Sequence, residues 1–148
     1  MKKILFVCHG NICRSPMAEM VMKHLVKEAG REKEFFIDSA ATDTDAIGCG
    51  IHRGTRNKLV RQQIPFTEHY ARLVRSEDYS DFDLIVCMDE ENLRHIKYII
   101  SSDPDSKIKK LLWYSNLQRD VADPWYTGNF DETFDDIYKG CSDLLKSF

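Results

Sequence analysis

The chain has 148 residues, 43% of them apolar and 30% charged, the size and make-up of one globular domain that buries its own core, which argues against a second domain. Its formal charge of −3 comes from 24 acidic and 21 basic residues spread along the sequence. That balance offers neither a basic stripe for nucleic acid nor a polybasic helix for a membrane.

In chain order, the first element is the apolar run Ile4 to Cys8 behind two lysines. Five apolar residues followed by His9, Asn11 and Arg14 are too few and too polar for export or for spanning a bilayer, so a cytoplasmic location is expected. Phe35 to Ile37, Leu84 to Met88 and Ile108 to Trp113 are similar runs, nearly continuous rather than alternating, as in strands buried on both faces. Between the strands lie helical patterns. Met17, Met20, Val21, His24 and Leu25 share a face on which His24 reads as a packed core histidine, and Gly30 ends that helix as a left-handed cap. A second helix is expected over Thr55 to Gln63 and a third over Glu90 to Ile100, with Leu93, Ile96 and Ile100 inward. The last helix runs to the C-terminus on Phe134, Ile137, Tyr138, Cys141, Leu144, Leu145 and Phe148. The acidic cluster Asp131, Glu132, Asp135 and Asp136 reads as a solvated first turn of that helix. Alternating strands and helices predict one doubly wound α/β domain, residues 1–148, on a four-stranded parallel sheet.

Ligands of such sheets bind beyond the carboxyl ends of the strands. There the sequence places "VCHGNICRSP", Val7 to Pro16, with Cys8 and Arg14 at the two ends of a polar loop. Ser15 followed by Pro16 reads as an N-cap with proline at the first helical position. A thiol near a helix N-terminus and a guanidinium loses its proton readily and becomes a nucleophile. Loop amides and the planar fork of an arginine match the oxygens of a phosphate dianion. Gly10 lets the backbone approach closely, and Asn11 tolerates a left-handed conformation. This chemistry also needs a proton donor for the leaving oxygen, and Asp123 in "VADPWYTGN" is the candidate, with Pro124 holding it extended. Trp125 and Tyr126 beside it suit the rim of a slot for a planar ring. The five cysteines, Cys8, Cys13, Cys49, Cys87 and Cys141, are odd in number and show no zinc-type pairing, so they read as thiols in a reducing compartment.

"VCHGNICRSPMAE", "DSAAT" (Asp38 to Thr42), "CMDEEN" (Cys87 to Asn92) and "DPWY" (Asp123 to Tyr126) occur in the order and spacing of low-molecular-weight protein tyrosine phosphatases, which the chain resembles over nearly its whole length. The resemblance implies a sheet of order 2-1-3-4 and hydrolysis of protein phosphotyrosine through a phosphocysteine, with no cofactor and no metal. It implies Cys8 as nucleophile, Arg14 as phosphate clamp and Asp123 as acid, then base. His9, Gly10, Asn11, Ile12, Cys13 and Ser15 would form the phosphate-binding loop, supported by Ser39, His69 and Asp89, with Trp125 and Tyr126 against the substrate ring. Asp89 also reads as an ordinary helix cap. Cys13 matches a second loop cysteine able to pair reversibly with Cys8, or is a small buried hydrophobe. Asp43 and Asp45 stand where relatives often carry an aromatic wall, which leaves one side of the slot open or acidic. His52 and His95 carry no assignment.

The expected partners are a phosphotyrosine protein and inorganic phosphate, as product and inhibitor, with no nucleic acid, no membrane and a monomeric chain. A protein arginine phosphatase resembles the loop with threonine in place of Ile12. An arsenate reductase needs further cysteines near the third strand, where only Cys87 lies. A phosphocarrier has no use for Arg14 or an acid loop, and a silent binding module has no use for both Cys8 and Asp123.

Overall fold

The computed structural model describes residues 1–148. Strand β1 (Lys2–Cys8) is central. It pairs in parallel with β2 (Phe35–Ala41), Lys2 opposite Phe35 through Cys8 opposite Ala41, and with β3 (Leu84–Cys87), Ile4 opposite Leu84. Beyond β3 lies β4 (Ile108–Lys110), giving the order β2-β1-β3-β4 and placing β1 where the chain switches direction across the sheet. The continuous apolar run of β1 has a simple cause. Ile4, Phe6 and Cys8 face a core of 23 buried residues shared with helices α1 (Arg14–Glu28), α2 (Arg53–Arg61) and α6 (Phe130–Lys146). Leu5 and Val7 face a second core of nine, beside α3 (Asp78–Asp81) and α4 (Glu90–Ile96). Burying one such side chain stabilises the fold by roughly 1.5–3 kcal/mol. A four-residue helix α5 (Pro124–Thr127) precedes α6. No helix is long and apolar enough to cross a membrane.

Gly30, with φ of 69°, ends α1 as its left-handed residue, as its position implies. Four expectations need correction. The fourth strand stops at Lys110, and Leu111–Ser115 forms a 3-10 turn whose Leu111 and Leu112 still point inward, so their apolarity reflects core packing without strand pairing. Helix α4 stops at Ile96, and Ile100 reaches the core from the turns that follow. His24 is half-buried at the edge of the α1 face, within 3.6 Å of Glu28, while Met22 and Val26 fill the core beside it; Tyr138 is likewise exposed at the edge of α6, and Phe148 is exposed beyond the end of that helix at Lys146. Asp136 is buried against Arg119 by two hydrogen bonds of 2.6 and 2.8 Å rather than solvated, and Asp131 pairs with Lys58 at 2.8 Å.

Helix α6 crosses the turn after β4 at Gly140. A Cβ there would lie 2.5 Å from Leu111 Cγ, a side chain that is itself fully buried. Gly140→Ala is therefore expected to destabilise the protein by about 1–3 kcal/mol despite alanine's better helix propensity, read as a lower urea midpoint at unchanged m-value.

Candidate active site

The loop from β1 to α1 wraps around the sulfur of Cys8. The backbone N–H groups of Asn11 and Ser15 donate to Sγ at 3.3 and 3.4 Å, and the Ser15 hydroxyl lies 3.0 Å away. Since Ser15 Oγ accepts from Asn11 Nδ2 at 2.8 Å, its own proton is free to turn to the sulfur. The backbone N–H groups of Gly10, Ile12, Cys13 and Arg14 find no acceptor in the protein. Free amides at the start of a 15-residue helix form a concave anion site. Helix α1 begins at Arg14, with Cys13 at the cap position and no side-chain cap, so Ser15 and Pro16 sit inside the first turn rather than at its start. Ser15 is diverted from capping because its hydroxyl and amide both serve Cys8. Pro16 remains cheap there, since first-turn amides have no partner within the helix.

Asn11 holds the loop in shape. With φ of 59° and no exposure, it donates to Ser15 and, at 2.9 Å, to Ser39 Oγ, and it accepts from the backbone of Arg72 at 3.2 Å. His69 Nε2 donates to the carbonyl of Asn11 at 3.2 Å. Ser39 in turn donates to Glu19 at 2.6 Å, and Lys23 holds the other oxygen of that buried carboxylate at 2.6 Å. Asn11→Ala loses the side-chain bonds to Ser15, Ser39 and Arg72 and forces alanine into the left-handed region, for an expected cost of about 2–4 kcal/mol together with a fall in kcat. Asn11→Gly, which tolerates the backbone but makes no bonds, should recover part of the stability in urea denaturation and little of the activity.

Arg14, 2% exposed, donates through Nη1 to Asp89 at 2.7 Å and to the carbonyl of Val121 at 3.0 Å, and through Nη2 to Asp123 at 3.3 Å. Burial disfavours its charge, but Cys8, Asp89 and Asp123 outweigh that and hold it above its usual range. Asp89 plays both of its expected parts: Oδ2 meets Arg14, while Oδ1 accepts from Asn92 in the capping box of α4. Asp123 is the N-cap of α5, extended at φ −86°, and accepts from Trp125 N at 3.0 Å. Cys8, Arg14 and Asp123 share a pocket of about 230 Å³ with His9, Gly10, Ile12, Cys13, Asp45, Ala46, Trp125 and Tyr126. Both aromatics are exposed on its rim. Asp45 lies where an aromatic wall is absent and accepts from His9 Nε2 at 2.9 Å. That bond raises the His9 pKa above its usual 6.5, burial working against it. All five cysteines are free; burial first, then Cys8 and Asp123, pushes the Cys13 thiol up to about 12, while burial also raises Cys87 and Cys141.

Cys8, His9, Gly10, Ile12, Cys13, Arg14, Asp123, Trp125 and Tyr126 line one pocket, while Asn11, Ser15, Ser39, His69 and Asp89 hydrogen-bond to the loop or to each other around it. Glu19 and the carbonyl of Val121 went unread. The signal for Glu19 was present, a carboxylate within the buried run Met17 to Met22; a backbone carbonyl leaves no such trace. His52 caps α2 by accepting from Gly54 N at 3.0 Å.

A family model described as low molecular weight phosphotyrosine protein phosphatase matches residues 3–148. The chain is 44% identical over 150 residues to the low molecular weight protein-tyrosine-phosphatase YfkJ of Bacillus subtilis, covering 99% of this chain and 96% of that one. The crystal structure of YfkJ superposes with a TM-score of 0.95 over 99% of this chain and 94% of that one, at 43% identity. SP-PTP, a low molecular weight protein tyrosine phosphatase from Streptococcus pyogenes, does so at 0.90, 39% identity and 100% and 93% coverage. The drosophila arginine phosphatase DARP follows at 0.89, 30% identity and 99% and 97% coverage. A sulfur cradled by amides, a clamped arginine and a match across almost every residue lead to one conclusion: the chain belongs to the low molecular weight phosphotyrosine protein phosphatase family.

Proposed function

We propose that this chain, as a single monomeric domain, hydrolyses phosphotyrosine in proteins, and small aryl phosphates, through a phosphocysteine on Cys8. What supports this most is the convergence of Cys8, Arg14 and Asp123 on one pocket whose floor is a set of amides without acceptors. The substrate dianion lies on those amides, and Arg14 Nη2 leaves Asp123 for an equatorial oxygen while Asp89 and Val121 keep hold of Nη1. The Cys8 thiolate forms the sulfur–phosphorus bond as the phosphorus–oxygen bond breaks, and the Asp123 carboxyl gives its proton to the phenolic oxygen. Asp123, now a carboxylate, takes a proton from water as that water attacks phosphorus, so the sulfur leaves and inorganic phosphate is released. Phosphate competes with substrate because it fits the same cradle. Trp125 and Tyr126 flank the ring, and the branched apolar side chain of Ile12 lines the entrance.

A second reading, phosphoarginine as substrate, is favoured by the acidic Asp45 on the rim and opposed by Ile12. A side-by-side assay separates them: turnover of an aryl phosphate and a phosphotyrosine peptide is expected to exceed that of phosphoarginine by at least about tenfold, roughly 1.4 kcal/mol of transition-state preference, with no reduction of arsenate and no loss on chelation. Faster turnover of phosphoarginine would reverse the assignment.

A further inference from the structure

We propose that His9, Glu91 and His95 form a binding site for one divalent transition-metal ion of the zinc class, on the edge of the pocket and outside the hydrolytic chemistry. One ligating atom from each residue lies within 4.8 Å of the other two. Glu91 and His95 are four apart on α4 and meet at 3.9 Å, so they face the same way, and the ring of His95 is 6.5 Å from that of His9. Zinc bonds of about 2.0–2.2 Å in a tetrahedron set ligand atoms about 3.4 Å apart. Closing the remaining gap takes rotation of Glu91, which is exposed, and of His95, which is half-buried.

His9 supplies an independent observation. Its Nε2 is taken by Asp45, while its Nδ1 is buried and has no hydrogen-bond partner. Because a carboxylate only accepts, the neutral ring carries its proton on Nε2 and leaves a lone pair on Nδ1 with nothing in the protein to receive it. Such a group is costly to bury unpaired. A carboxylate on the opposite ring nitrogen is also the arrangement that fixes the tautomer of a metal-ligating histidine and raises its basicity. Two imidazoles and one carboxylate suit zinc, cobalt or nickel and are poor ligands for magnesium or calcium. His9, Asp43 and Asp45 also lie within 4.8 Å, but that set offers a single imidazole and is the weaker one for this class of ion. An ion on His9, Glu91 and His95 ties the residue after Cys8 to α4, whose cap Asp89 holds Arg14.

Cobalt(II) chloride titrated into the reduced, full-length protein in mildly alkaline buffer tests this. Saturating d–d absorption at one equivalent is expected, without the near-ultraviolet charge-transfer band that thiolate ligation by Cys8 would produce. Glu91→Gln and His95→Asn should each weaken binding by about tenfold or more, and Asp45→Asn, which keeps an acceptor on Nε2, should lose less. Unchanged aryl phosphate turnover by Glu91→Gln and His95→Asn in metal-free buffer shows that they are folded. The proposal is overturned by a dominant thiolate band, by saturation indifferent to Glu91 and His95, by a greater loss in Asp45→Asn than in either of them, or by no saturation at millimolar cobalt.

Discussion

Cys8→Ser is expected to lower turnover of an aryl phosphate by at least about 10⁴-fold while leaving the pocket able to bind inorganic phosphate. Serine preserves the size of the side chain and can keep the contacts that the sulfur makes with the amides of Asn11 and Ser15. What it lacks is a readily formed anion, and no base is in contact with the side chain to make one: the groups that touch Cys8 Sγ are two amides and the hydroxyl of Ser15, which accepts from Asn11. Binding and chemistry should thus separate, with phosphate affinity by calorimetry near the wild-type value and turnover at background. A residual rate within about tenfold of wild type would remove Cys8 from the nucleophile's role.

The parts of the fold and site that were legible in the sequence are those in which a local pattern and a tertiary role coincide. The run Ile4 to Cys8 is continuous because β1 is covered on both faces, and it leads directly into a glycine and an asparagine that the loop needs. Asp123 reads as extended because of Pro124, and that same extension makes it the cap of α5. Elsewhere the local pattern had two physical causes. Leu111 and Leu112 are apolar because they are buried, yet they lie in a 3-10 turn, and burial alone does not distinguish the two backbones. Ser15 followed by Pro16 has the composition of a helix start, but Ser15 is engaged with Cys8 and α1 starts two residues earlier, at Arg14. Asp136 belongs to the acidic cluster near the start of α6 but lies in its second turn, against Arg119, 17 residues earlier in the chain. The Glu19–Ser39–Asn11 chain joins α1, β2 and the loop, so no window of the sequence contains it.

The sharpest separation of fold from chemistry lies at Asp123. Asparagine keeps one oxygen, which can still accept from Trp125 N and cap α5, but it puts an NH2 group where the second carboxylate oxygen faces Arg14 Nη2, and it cannot give a proton. Asp123→Asn is expected to lower kcat/KM by about 10²–10⁴-fold for phenols of high pKa and little for nitrophenols, which leave as anions without help. The second displacement loses its base whichever phenol has departed. For nitrophenyl substrates kcat should therefore fall although kcat/KM does not, with a burst of phenol and a phosphocysteine that persists on Cys8 long enough to trap with acid. Asp123→Ala should show the same kinetics with a further loss of about 1 kcal/mol in stability, because the cap goes with the carboxyl. Loss of kcat/KM that is equal across all leaving groups would mean that Asp123 only positions Arg14, and the proton would have to come from solvent.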